Sequence, residues 1–497
     1  MRSKLALICA LCICTAAFSA CASSDSSKTD SSAVSSSDSE KTKEPEFELD
    51  PTPISRTENV MPALDAVKEQ YAEKESETAS LIEELSKQKE KPCINITTEN
   101  GDKIKSKDTY TASVIDVFNC DEAYRLSAAG GVKVRGNSSA DQGDEKPYRI
   151  KFEQKQNMLG LHDGNEYKSW VLLRSYWNLG TDYMAQKLAK GIFEGKYYNT
   201  DVMYVNLYIN GDYKGIYVLC EQNQPGKGRV EVNEPKDDDT SADIGYMLEI
   251  DNYPDDSHPY FVMDYEQAEI EDISGEKRQF VSAEYSLKSE INTQGQLDFI
   301  ENYTRGVYKI LYEAAINNTA LCFDSAYNVV PTDGINPQEA VEAVIDTESL
   351  ANMLILEELV HNYDVGEGSF YMARDFSEGS KYEKLTFMAP WDFNWSYEGS
   401  PSGKYYACTF QPEVGEQDRS NPWLITAIKA DWFKDIVKTK WASLVENNTL
   451  QEAIKTVQDD SAALENDLGE DAWKIEKVYD LMNFVYGRID WLNKEWK

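Results

Sequence analysis

Gly130-Gly131-Val132-Lys133-Val134-Arg135-Gly136-Asn137-Ser138-Ser139 and, after a polar gap, Lys146-Pro147-Tyr148-Arg149-Ile150-Lys151-Phe152 are two alternating runs around a small-residue loop. Successive side chains of a strand point to opposite faces. Val132 and Val134 therefore share one face, and Lys133 and Arg135 share the other. In the second run Tyr148, Ile150 and Phe152 lie on one face, Arg149 and Lys151 on the other. Paired as a hairpin, the runs gather four cations beside exposed backbone N–H groups, which is the chemistry of a phosphate cradle. On spacing alone a plainer reading is the stronger one: these cations balance some of the many carboxylates of an acidic chain.

Outward from this hairpin the pattern continues. Trp170-Val171-Leu172-Leu173 reads as an apolar strand, and Met184, Leu188 and Ile192 give a helix over 182–193. Two further alternating runs, Tyr204 to Ile209 and Tyr213 to Glu221, flank Asn210-Gly211-Asp212, a strong turn signal. Glu221 ends the return strand, where it faces either a ligand cleft or solvent. Gly245 to Asp251 is another strand, with Glu249 and Asp251 on one face. They suit a cation or the rim of a cleft, but the commoner case is the wet face of an edge strand. Leu350, Met353, Leu354 and Leu359 place a core-facing helix over 346–360. It runs into His361-Asn362-Tyr363-Asp364, and a strand over 384–388 ends at Pro390-Trp391-Asp392-Phe393-Asn394. Asp364 and Asp392 thus each stand just past a regular element, placed to meet over a cleft. One would orient a hydroxyl nucleophile and the other hold Mg²⁺ on phosphates. Each taken alone reads more simply as a turn or capping aspartate.

The N-terminal part decides the expected compartment. Arg2 and Lys4 precede an apolar run from Leu5 to Phe18, and Ser19-Ala20-Cys21 follows. This reads as a secretory signal (1–20) with a lipoprotein-type cleavage site. The run is too short to span a bilayer core of roughly 30 Å. Cys21 is expected to become the lipidated N-terminus on the extracytoplasmic face of a bacterial membrane; the plain alternative is an ordinary signal peptide cut nearby. Residues 21–58, rich in Ser, Asp, Lys and Pro, have little to bury and read as a flexible linker. A solvated helical spacer or strut is expected over 59–91, and a body over 92–497. The net charge of −37 argues against nucleic acid and against anionic lipid surfaces as partners. Cys93, Cys120, Cys220, Cys322 and Cys408 show no CxxC pair, and His162, His258 and His361 are the only histidines. A dense disulfide framework and a multi-histidine metal site are therefore not expected.

Taken in order, Val-Arg-Gly-Asn-Ser-Ser, Lys-Pro-Tyr-Arg-Ile-Lys-Phe, Tyr-Val-Asn-Leu-Tyr-Ile-Asn-Gly-Asp-Tyr-Lys-Gly-Ile-Tyr-Val-Leu-Cys-Glu, Gly-Tyr-Met-Leu-Glu-Ile-Asp, Asn-Tyr-Asp and Pro-Trp-Asp-Phe-Asn resemble the CotH kinase family. The resemblance runs from about Pro92 to Trp423 or beyond. It implies an α+β, atypical protein-kinase-like, two-lobed fold, with a mostly antiparallel N-terminal sheet and a helical C-terminal lobe. It also implies transfer of the ATP γ-phosphoryl group to Ser or Thr of secreted or surface proteins, with Mg²⁺ or Mn²⁺. Motif by motif, Lys151 resembles the phosphate-pairing lysine, and Arg135, Gly136, Asn137 and Ser138 the nucleotide-covering loop, with Glu221 beside the nucleotide. Asp364 resembles the catalytic-loop aspartate, supported by Asn362, and Asp392 the metal-binding aspartate. Two departures stand out. Asn394 replaces a second acid, which leaves a carbonyl ligand without charge, and Thr181-Asp182 stand where Arg-Asn is usual. A rival expectation is a non-catalytic surface adhesin or carbohydrate-binding protein on the same fold, which thirty Tyr and ten Trp would suit through sugar stacking. A two-carboxylate glycosidase matches Asp364 and Asp392 in type but explains neither Lys151 nor the cationic strands.

Overall fold

The two opening runs do pair: Val132 stands opposite Ile150 and Lys133 opposite Arg149. A computed structural model of the chain describes residues 49–54, 60–136, 140, 146–174, 178–252, 258–265, 269–412 and 419–497. The leader, Cys21, most of the linker, Asn137 and Ser138 lie outside the described residues. Helices α1 (Asp65–Glu73) and α2 (Glu75–Ser86) lead into β1 (Cys93–Thr98), β2 (Thr111–Phe118), β3 (Leu126–Val134), β4 (Tyr148–Gln156) and β5 (Tyr167–Leu173). Helix α3 (Thr181–Phe193) and the hairpin β6 (Val202–Ile209) and β7 (Asp212–Glu221) follow. These seven strands close into a barrel in the order β1-β2-β3-β4-β5-β7-β6. Its neighbours are antiparallel except for the parallel β1–β6 seam. Asn210 and Gly211 both take positive φ, 53° and 82°, which is what a two-residue hairpin turn demands of them.

Alternation decides what fills the barrel and what covers it. Val132, Val134, Ile150, Phe152, Trp170 and Leu172 point inward. Val171, Val202 and Cys220 point outward into the larger core of the second half. The N-terminal helices rest on the barrel: Leu64 and Val67 pack on Ala112 and Val114, and Leu85 packs on Cys93, Phe118 and Tyr208.

The second half is mixed rather than purely helical. It holds β8 (Gly245–Ile250), β9 (Tyr260–Met263), a ribbon of β10 (Ile270–Glu271) and β11 (Lys277–Arg278), and β12 (Ala283–Leu287). Then come α4 (Gln294–Ile316), a ribbon of β13 (Leu321–Phe323) and β14 (Val329–Pro331), α5 (Pro337–Val344), α6 (Thr347–Val360), β15 (Phe370–Asp375) and β16 (Thr386–Phe387). It ends with α7 (Pro422–Ala427), α8 (Asp431–Glu446), α9 (Thr449–Ala462), α10 (Glu465–Leu468) and α11 (Trp473–Glu495). A five-stranded sheet runs β16-β15-β8-β12-β9. This corrects the edge-strand reading of Gly245 to Asp251, because β8 lies inside the sheet. Its partner β15 is over a hundred residues away in sequence, and no local pattern announces such a pairing. Among the described residues no helix is long and apolar enough to cross a membrane, and the five described cysteines are free.

Candidate active site

Helix α6 delivers the first aspartate. Asp346 caps the helix start by accepting the Ser349 N–H at 3.1 Å. His361 ends it in the left-handed conformation, φ 48°. The His361 ring is buried against Tyr406, 4.4 Å between centroids. Burial, then the nearby Arg488 charge, pushes its pKa down to about 3, so it stays neutral. The chain then turns tightly. Asn362 Oδ1 accepts the Asp364 N–H at 3.1 Å, and the Asp364 carbonyl accepts the N–H groups of Glu367 and Gly368 at 3.0 Å each. The far side of this loop is clamped. The Arg419 guanidinium lies 3.3 Å from the Tyr363 ring centroid and pairs with Glu367, while Asn421 Nδ2 donates to the Val365 carbonyl at 2.7 Å. At Gly366 a Cβ would stand 2.3 Å from the Ser420 carbonyl oxygen, so only glycine fits.

The second aspartate arrives from β16 along a segment held to its surroundings by the backbone. The Ala389 N–H donates to the Tyr198 carbonyl at 2.8 Å, Asn223 Nδ2 to the Ala389 carbonyl at 2.8 Å, and Gln186 Nε2 to the Pro390 carbonyl at 2.7 Å. Asp392 itself has φ +60°, a conformation that costs a non-glycine residue energy and recurs at functional sites. Asn394 Nδ2 donates to Asp392 Oδ1 at 2.8 Å, which leaves the Asn394 carbonyl as an acceptor.

A third carboxylate joins them. Asp182, in the first turn of α3, is buried and accepts the Phe393 N–H at 3.1 Å. Burial, and then repulsion from Asp392, push its pKa up to about 7, against the pull of the Phe393 N–H and Arg135. Burial, then Asp392 and Glu367, push Asp364 up to about 8. Asp392 thus repels both neighbours. Arg135 comes off the end of β3 with its guanidinium carbon 5.3 Å from the Trp391 ring centroid, so a barrel cation reaches the aspartates.

A polar cluster on the five-stranded sheet lies on the Arg135 side. Tyr371 of β15 stands directly opposite Glu249 of β8, and its hydroxyl feels Glu249, Asp251 and Arg135. Lys288 Nζ pairs with Glu249 at 2.7 Å and Asp251 at 3.0 Å. Burial alone would depress this ammonium, but the two carboxylates lift it above its ordinary value. The cation suited to Glu249 and Asp251 is therefore one the chain itself supplies.

The structure brings Asp364, Asp392, Asn394 and Arg135 to one place. Gly136 follows Arg135 with φ 89°. Lys151 stands on the outer face of β4, opposite Gly131 and Ser169. Glu221 is neither solvated nor open. It is fully buried, accepts the Asp201 N–H at 2.8 Å and the Thr200 hydroxyl, and pairs with His162 Nδ1 at 3.0 Å. Asp182, Lys288 and Glu357, whose pKa burial pushes up to about 8, are site groups that sequence reasoning missed. A first-turn aspartate reads as a partner of the helix dipole, and a lone lysine after a strand carries no signal.

Among the described residues no group of three or more His, Cys, Asp or Glu side chains is arranged to hold a metal alone. No curated protein matches the chain. The family model described as CotH kinase protein matches residues 132–492, which is most of the sequence, and the chain belongs to the CotH kinase family.

Proposed function

We propose that the protein is an atypical kinase that transfers the ATP γ-phosphoryl group to a Ser or Thr hydroxyl of a secreted or surface protein. In this reading the barrel and the mixed helical half are the two lobes of a kinase-like arrangement, tethered outside the membrane through a lipidated Cys21. The observation that carries it is the convergence of Asp364 and Asp392, from separate elements, with Asp182 and Arg135 beside them.

Phosphoryl transfer asks mainly for positioning and charge neutralisation. The acceptor oxygen forms the new P–O bond and the bond to the ADP oxygen breaks. Asp364, whose pKa burial and the charge of Asp392 raise, is ionised once that charge is offset, and it aligns the hydroxyl and takes its proton. Asp392 and the Asn394 carbonyl would hold Mg²⁺ or Mn²⁺, which when bound offsets charge on the phosphates. Arg135 and the loop at Gly136, Asn137 and Ser138 cover the nucleotide, with Lys151 on the adjoining strand. Lys288, held between Glu249 and Asp251, is the alternative to Lys151 as the phosphate-pairing lysine, since kinases use a lysine that is ion-paired with a glutamate.

Mg-ATP or Mn-ATP is expected to raise the melting temperature of the purified protein by linkage, and Asp392→Ala to abolish the rise. Asp364→Ala is expected to lower γ-phosphoryl transfer by about 10²–10⁴-fold, the range for losing a general base, while leaving the fold intact. Lys151→Met and Lys288→Met assayed side by side separate the two lysines. Near-wild-type transfer in either aspartate variant would sink the assignment.

A further inference from the structure

Over 385–397, the stretch that delivers Asp392, every residue is buried or half-buried except Trp395. Trp395 is 37% exposed, and among the described residues no hydrogen bond or ring contact engages its indole. A tryptophan is on average highly buried, because its large apolar surface is better removed from water. The other tryptophan of the stretch obeys this: Trp391 is 4% exposed and lies under the Arg135 guanidinium.

The exposed ring stands on a turn that the fold grips at both ends. The Ser396 N–H donates to the Phe393 carbonyl at 3.2 Å, so Asn394 and Trp395 are the two central residues of a β-turn. Before the turn, the Phe393 N–H donates to Asp182 Oδ1 at 3.1 Å. After it, the Tyr397 N–H donates to the Val360 carbonyl at 2.6 Å, and the Tyr397 hydroxyl to the Thr181 carbonyl at 3.0 Å. His361 Nδ1 donates to the Glu398 carbonyl at 3.1 Å. Asp392 and Tyr397 take φ +60° and +67°, so backbone strain brackets the segment that carries the ring. These contacts fix a side as well as a place. Trp391, before Asp392, lies against a barrel cation. Trp395, after it, belongs to the stretch bonded to Val360 and His361, the last residues of α6 ahead of the Asp364 loop. In the kinase reading the barrel covers the nucleotide, so the indole stands on the side from which a hydroxyl reaches Asp364.

We propose that Trp395 is a specificity-determining residue for the acceptor polypeptide, its indole packing on the hydrocarbon of the side chain next to the Ser or Thr that receives the phosphoryl group. A rigid ring on a held turn offers apolar area at low entropic cost, the property that enriches tryptophan at binding hot spots. Its effect on transfer rests on the kinase reading; its effect on peptide binding does not.

The test uses the full chain and two fluorescent peptides of equal length, one with Leu on both sides of a central Ser and one with Gly there. Binding is followed by fluorescence polarisation with Mg²⁺ and a non-hydrolysable ATP analogue, and transfer by kcat and KM with Mg-ATP. The wild type is expected to favour the Leu peptide by about 10-fold in affinity and in kcat/KM, the low end of discrimination by an apolar contact. Trp395→Ala should reduce that preference to within about twofold by weakening the Leu peptide alone, and Trp395→Phe should keep most of it. The KM for Mg-ATP should stay within about twofold. Equal binding of the two peptides by the wild type overturns the proposal, whether or not transfer is seen. A preference that survives Trp395→Ala does the same. So does a rise in the KM for Mg-ATP with the preference intact, which would put the indole on the nucleotide. A fall in melting temperature with both peptides weakened alike would reveal a merely structural role and overturn it too. Should the Ala variant not fold, Trp395→Gln, which keeps bulk without the apolar face, is read in the same way. Binding that depends on Trp395 without transfer to either peptide would sink the kinase reading alone.

Discussion

Asp364 and Asp182 hold protons that isolated aspartates would have lost, because burial and Asp392 disfavour their charged forms. This fixes the sign of a pH effect. Between the ordinary value of 3.8 and about 7 for Asp182 or about 8 for Asp364, the folded state binds more protons than the unfolded one. Their contribution to stability is full below the ordinary value and is lost as pH rises through the folded values. In EDTA the melting temperature should therefore fall from pH 5.5 to 8.5. Asp364→Asn or saturating Mg²⁺ should flatten that fall. A flat profile in the metal-free wild type would show that the three carboxylates are not coupled. At this scale the sequence pointed to Asp364 and Asp392 because both follow regular elements. Asp182 was hidden, since nothing local says that an α3 side chain meets the Phe393 N–H.

Among the elements, the local signals were strong where periodicity was long. Helix α3, helix α6 and the β6–β7 hairpin lie within a residue or two of where alternation and the Asn-Gly turn place them. A strap made by residues 49–54 had no such signal. The α4 start donates its Gln294 and Gly295 N–H groups to the Thr52 and Asp50 carbonyls at 2.8 and 2.9 Å, and Ile54 N–H donates to Asn292 at 3.0 Å. The strap thus satisfies donors that a helix start leaves unpaired, and a composition of Pro and acids gives no hint of it. A Cβ at Gly295 would stand 2.5 Å from Asp50 N and 2.6 Å from Leu49 Cβ. Gly295→Ala should therefore dislodge the strap while α4 persists, at a cost of about 1–3 kcal/mol. Limited proteolysis checks this: cleavage near residues 49–60 should speed up, and wild-type resistance there would mean the strap tolerates the methyl group.

Over the whole molecule, two halves converge on one group of aspartates, with α11 closing the back of the second half. Arg488 from α11 is buried against Glu358 of α6, so the C-terminal helix reaches the element that presents Asp364. The proposed attachment at the other end of the chain belongs to the same scale. Cys21→Ser should release the protein from the membrane fraction into the medium and remove the lipid mass from its N-terminal peptide. Unchanged membrane association without a lipid adduct in the wild type would refute the anchor.

The sequence by itself determined the family, the strand faces, the principal helices and the two aspartates at element ends, because these rest on periodicity, turn chemistry and ordered motifs within short windows. Only the tertiary structure decided the closed barrel, the interior place of β8, the burial of Glu221 with His162, and the company of Asp182, Lys288 and Glu357. Each of these depends on segments distant along the chain coming together, and on the desolvation and charge repulsion that follow, which no local pattern encodes.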